Sequence, residues 1–156
     1  MANPAEENSN IPQMEVTTTE STPTDDRRLK DELAPVFNRS EICLAVLFGS
    51  AATKRRHRGS DLDIALMGDQ PLDLLTLTNE VIRLTHRNDV DVVDLRQASP
   101  LLAMEVVRHG RLLYERRPGL YAEFCSLAHR RYIDAAKLRE AQKQVITLFL
   151  QERGLA

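Results

Sequence analysis

Apolar residues recur at helical spacing between Asp25 and Phe37, where Leu29, Leu33 and Val36 or Phe37 share one side. That spacing predicts a helix capped by Asp25 or Asp26, with Pro35 kinking its last turn. Ile42 to Phe48 is apolar without a break, which suits a strand buried on both faces. From Asp61 to Leu66 polar and apolar side chains alternate. In a strand, Leu62, Ile64 and Leu66 would face a core, and Asp61 and Asp63 would share the other side, about 7 Å apart at Cα.

The rest of the chain continues in the same code. A helix is expected from Pro71 to about His86, with Leu74, Leu75, Val81, Ile82 and Leu84 on its apolar side. Asn88-Asp89 turns the chain into a strand over Val90–Leu95. If Val90 and Val92 face the core, Asp91 joins the side of Asp61 and Asp63; Asp94 is the runner-up. Ser99 and Pro100 read as an N-cap and a first helical position, and Gly110 as the stop. Arg111 to Glu115 is a short strand, and Leu120 to Arg153 one long helix without internal Gly or Pro. Two heptad series on that helix, Tyr121-Ala128-Ala135-Gln142-Phe149 and Phe124-Arg131-Leu138-Val145-Glu152, are apolar at seven of ten positions. A helix of this kind packs on its own domain and keeps surface for another chain. The element order predicts an α/β (α+β) fold: a mixed sheet, helices on one face, and a site on the open face.

Composition narrows the picture little. With 156 residues, 42% hydrophobic and 28% charged, one domain with a proper core is expected, over residues 25–156 with the helix 120–153 included. Residues 1–24 are polar, nearly without large apolar side chains, and are expected to be a disordered tail. A net charge of −2 gives no global attraction to nucleic acid or membrane. No apolar run is long enough to span a bilayer, and Met1 to Ser21 lacks the pattern of a secretory signal. Cys43 and Cys125, in separate apolar segments, are expected to be free buried thiols in a reducing cytoplasm.

The chemistry gathers between Leu47 and Leu66. Two carboxylates on an apolar strand are costly unless a cation sits on them, and an oxygen-only donor set suits Mg²⁺. Just before them, Gly49-Ser50 ends an apolar run, where bare N–H groups and a hydroxyl can hold phosphate oxygens. The connection between the two halves carries Lys54-Arg55-Arg56-His57-Arg58 and ends in Gly59-Ser60. That basic run is either a solvated loop or a contact to triphosphate or to an acidic partner. His86 and His109, near helix C-termini, read as caps.

Gly49-Ser50, ten intervening residues, then Asp61-Leu62-Asp63, followed by Asp91, resembles the signature of the polymerase-beta-type nucleotidyltransferase superfamily. From Leu29 onward the small size and surroundings are most similar to its minimal nucleotidyltransferases (MNT), the antitoxin half of HEPN/MNT toxin–antitoxin pairs. The resemblance implies a palm-like sheet in which Asp61, Asp63 and Asp91 bind two Mg²⁺ ions and act in catalysis. It places Gly49, Ser50 and Ser60 around the nucleotide. ATP is the implied donor, a tyrosine of a partner HEPN ribonuclease toxin the acceptor, and a hetero-oligomer the setting. His129 is followed by Arg130, Arg131 and Tyr132, one residue more than the toxin's His-x-Tyr, so the chain reads as modifier and not target. Three alternatives stay open: an antitoxin that only occludes its partner, AMP transfer to a small molecule, and a nucleotide-binding regulator without turnover.

Overall fold

The computed structural model describes residues 23–49, 52 and 61–155, the side chains of 23 and 24 excepted. The sequence readings for residues 1–22, Ser50, the basic run 54–58 and Ser60 fall outside the described residues. Eight elements follow one another: α1 (Pro23–Phe37), β1 (Ile42–Phe48), β2 (Leu62–Gly68), α2 (Leu74–Thr85), β3 (Val90–Asp94), α3 (Pro100–His109), β4 (Arg111–Glu115) and α4 (Leu120–Glu152). The sheet order is β3-β2-β1-β4. β1 pairs antiparallel with β2 and with β4, whereas β2 and β3 are parallel. Parallel neighbours need a crossover, and α2 provides it.

Every residue of β1 is buried, as its unbroken apolar run requires of an inner strand. On one face Ile64 and Leu66 pack with Leu33 and Val36 of α1 and with Leu77 and Val81 of α2. On the other, Val46, Phe48 and Ala65 pack with Ala103 and Val106 of α3 and with Phe124 and Ala128 of α4. The fold class is the expected one, but helices cover both faces and not one. Apart from the aspartates and the edge residue Glu115, which accepts from Tyr121 N–H, the second face is apolar, so it too has to be sheltered from water.

Local differences have local causes. α2 begins at Leu74 and not at Pro71, because Asp73 caps it, accepting from Thr76 N–H at 3.1 Å and from Thr76 Oγ1 at 2.7 Å. α1 starts at Pro23, ahead of the expected aspartate caps; Asp25 and Asp26 occupy its first turn, where negative charge meets the positive end of the dipole. Ser99 caps α3 as expected, accepting from Leu102 N–H at 3.2 Å. Gly110 ends that helix for want of space, not through a left-handed backbone. Its φ is −74°, and a Cβ there would stand 2.2 Å from the Val106 carbonyl oxygen and 2.6 Å from Val46 Cγ1.

Ala128 is the last buried residue of α4, and beyond it Tyr132 still meets Arg108 of α3, whose Cζ lies 5.3 Å from the ring centroid, before the helix projects from the domain. Its 33 residues would measure about 50 Å. Leu138, Val145 and Phe149 are 61%, 66% and 49% exposed. Among the described residues no helix is long and apolar enough to cross a membrane.

Candidate active site

β1 delivers the chain to Gly49, which turns at φ +67°, a conformation that glycine adopts without penalty. Space demands glycine as well. A Cβ on Gly49 would fall 2.0 Å from Oδ2 of Asp63. The glycine turn and the first strand carboxylate are therefore in direct apposition.

Register sets out the rest. Asp63 is paired with Phe48 of β1 on one side and with Asp91 of β3 on the other. Phe48, Asp63 and Asp91 thus form one row across three strands. Leu62, Ile64 and Val92 are buried among α1 and α2, which puts the two carboxylates on the opposite face, as the alternation predicts. Asp61 lies exposed just before β2, and the Leu62 N–H donates to the Asp89 carbonyl at 2.7 Å, tying the strand to the turn before β3. Asp94 takes a different part. It is 4% exposed and accepts from Arg96 N–H at 2.9 Å, so it organises the turn after β3 and stands off the row.

Burial pushes the Asp63 carboxyl above the usual carboxylate range, and the negative charges of Asp91 and Asp61 push it the same way. Arg87 is held by Asp89 through Nη2 at 2.8 Å and senses Asp61 electrostatically. Among the described residues no Lys, Arg or His forms an ion pair with Asp61, Asp63 or Asp91. Crowded acceptor-only oxygens with no ion-pair partner among the described residues fit a hard divalent cation. As they stand, no three Asp, Glu, His or Cys groups among the described residues converge tightly enough to hold an ion alone; further oxygens would have to come from a substrate or from water.

Sequence reasoning left the surroundings of Gly49 blank. There, Phe48, Gly49, Leu102, Glu105 and His109 line a cavity of about 320 Å³, a fair size for one ring system. His109 Nε2 lies 3.6 Å from Glu105 Oε2; it does close α3, as expected of a cap, but it also faces this hollow. The place of Phe48 directly before Gly49 was a usable signal. Nothing local links Leu102 or Glu105 to it, because α3 is brought over β1 only by tertiary packing.

Residues 31–119 match the model of the polymerase beta nucleotidyltransferase family, and the chain belongs to that family. It is similar, within the family, to two curated proteins called protein adenylyltransferase MntA. The one from Shewanella oneidensis is 38% identical over 79 residues, 49% of this chain and 57% of that protein, so this match spans just over half of the relative's length. The one from Aphanizomenon flos-aquae is 30% identical over 128 residues, 72% of this chain and 83% of that protein. Among solved structures, a toxin–antitoxin crystal structure with AMP-PNP is 28% identical with a TM-score of 0.59, covering 78% of this chain and 98% of its own. A complex of a tri-AMPylated S. oneidensis HEPN toxin with its MNT antitoxin has a TM-score of 0.62 at 24% identity, again over 78% and 98% of the two chains, a likeness of fold.

Proposed function

We propose that the chain is an antitoxin nucleotidyltransferase, which transfers AMP from ATP to a tyrosine hydroxyl of a partner HEPN ribonuclease toxin in the cytoplasm. The observation that carries this reading is the row of Asp63 and Asp91 in register beside the Gly49 turn. The names of the relatives, adenylyltransferases and an antitoxin complex with an ATP analogue, agree with it.

In this mechanism Gly49 N–H, Ser50 and Ser60 hold phosphate oxygens of ATP and set the α-phosphorus in line with the acceptor. Asp61, Asp63 and Asp91 would hold Mg²⁺, as two ions in the form the family resemblance implies; bound there, it neutralises triphosphate charge and makes the acceptor hydroxyl more acidic. Asp91, the more exposed of the paired carboxylates, accepts the hydroxyl proton. The new O–P bond forms at the α-phosphorus, the α–β bridging bond breaks, and pyrophosphate leaves with its electron pair.

The test is transfer of label from α-³²P-ATP to the toxin. Asp61→Ala with Asp63→Ala abolishes labelling and pyrophosphate release together; undiminished labelling in that double variant removes the reading. Occlusion without chemistry is the second reading, and the exposed apolar side of α4 favours it. In that case the double variant still silences the toxin, whereas Val145→Glu with Phe149→Glu does not.

A further inference from the structure

At the other end of β2 from the aspartates, α3 and α4 part to leave a cleft of about 580 Å³. Its floor is apolar, with Leu95, Ala103, Phe124 and Ala128 among the lining side chains. Its rim carries four arginines, Arg96, Arg116, Arg117 and Arg131, against one carboxylate in the lining, Asp69. Two of the four are fixed by backbone oxygens. Arg96 Nη1 donates to the carbonyls of Gly68 at 3.0 Å and Asp69 at 2.7 Å, and Arg116 Nη2 donates to that of Ile42 at 3.0 Å. Arg116 is also ion-paired with Asp69 and Arg117 with Glu123, which leaves Arg96 and Arg131 as the rim's uncompensated charges among the described residues. Arg131 is exposed, and no ion pair to it is found among the described residues.

The cleft does not end where the domain ends. Leu127 and Arg131 line it, and at 100° per residue their side of α4 continues through Leu138, Val145 and Phe149. These three are among the exposed apolar residues of the projecting helix, which also exposes Ile133, Ile146 and Leu148. An apolar path therefore runs from the arginine-rimmed hollow out along α4. A helix that stands away from its domain with such a stripe gains stability from a partner.

We propose that the cleft and the α4 stripe form one docking groove for an amphipathic helix of another protein, with apolar anchors on one side and Asp or Glu along its flanks. The charge of the rim selects acidic flanks. The apolar floor selects a protein over RNA, whose phosphates would leave it uncovered. The groove and the aspartates occupy opposite ends of β2, so a docked partner leaves the carboxylates open. The α4 stripe is the surface that the occlusion reading uses, so the inference deepens that reading; it does not rest on nucleotidyl transfer.

The test uses the full chain and labelled amphipathic peptides of about 20 residues, identical in their leucines and flanked by Glu or by Lys, with a single-stranded RNA as the third probe. Fluorescence anisotropy is expected to show saturable binding of the Glu peptide alone. Arg131→Glu weakens it roughly fivefold to tenfold, and Leu138→Glu, which sits on an exposed position and leaves the fold intact, weakens it by at least about tenfold. Equal binding of both peptides, binding of neither, or preference for RNA overturns the proposal. So does sedimentation as a dimer that Leu138→Glu dissociates, because a second copy would then be the occupant. Aspartate variants without transferase activity still bind the Glu peptide, which keeps the two readings separable.

Discussion

Asp63 Oδ2 occupies the space where a side chain on Gly49 would begin, 2.0 Å from the position of its Cβ. Gly49→Ala therefore meets two penalties at once, a left-handed backbone and a displaced carboxylate. We expect a loss of about 1–3 kcal/mol in urea unfolding and a fall in AMP transfer of at least about a hundredfold. Gly119→Ala is the control: its φ of +90° carries the backbone penalty, but nothing lies within 4 Å of the added methyl, so transfer stays intact.

Asp63 is held above the ordinary carboxylate value of 3.8 by burial and by its acidic neighbours. The native state therefore binds this proton more tightly than the unfolded chain, and stability is lost as pH rises from the ordinary value through the raised one. Asp63→Asn escapes that loss. Without metal it should melt higher than the parent at pH 7, by about 2–4 °C for each kcal/mol gained, with the gap closing as the pH is brought down to 4. Added Mg²⁺ should raise the melting temperature of the parent and not of the variant. A variant that melts lower than the parent at pH 7 contradicts the strain assigned to this carboxylate.

In the proposed mechanism Asp91 serves the chemistry, and Asp94, on the same short strand, serves the architecture. Asp91→Ala, at an exposed position, should leave urea unfolding within about 0.5 kcal/mol of the parent while transfer disappears. Asp94→Ala removes a buried acceptor for Arg96 N–H, and should cost about 1–3 kcal/mol while the residual folded protein stays active. The opposite pattern would exchange their roles.

The Cys43 thiol is pushed up to about 11, first by burial and then by its hydrogen bond to Asp69 at 2.9 Å. At pH 8 only about one thiol in a thousand is ionised, so iodoacetamide should spare Cys43 until the protein is unfolded. Asp69→Asn removes the charge that disfavours the thiolate. Alkylation at pH 8 then speeds up, as peptide mass mapping would show.

What could be read from the residue order was whatever depends on neighbours one to four positions away. The period-two pattern of Leu62-Asp63-Ile64 and Val90-Asp91-Val92 fixed the faces, and from the faces came the preference for Asp91 over Asp94. The Ser99 cap and the continuous burial of Ile42–Phe48 are equally local. Failures came where two local signals competed or where distance decided. Pro71 reads as a helix start, but the helix begins after Asp73, whose carboxylate satisfies a backbone donor. Gly110 looks like any C-terminal glycine until Val46 of another strand is placed beside it. The cover on the second face, the hollow beside Phe48 and the arginine-rimmed cleft all arise from α3 and α4 folding back over a strand laid down some sixty positions earlier, and no window along the chain contains both.

The parallel pairing of β2 with β3 carries a consequence for assembly. A chain emerging from the ribosome completes the β1–β2 hairpin first, and with it Asp61 and Asp63, but the acid opposite Asp63 arrives only after α2 has crossed the sheet and seated β3. Non-local pairings of this kind are acquired late. On the proposed mechanism a nascent or truncated chain ending before Val90 lacks Asp91 and should transfer nothing, so the site is completed only by the docking of a single five-residue edge strand.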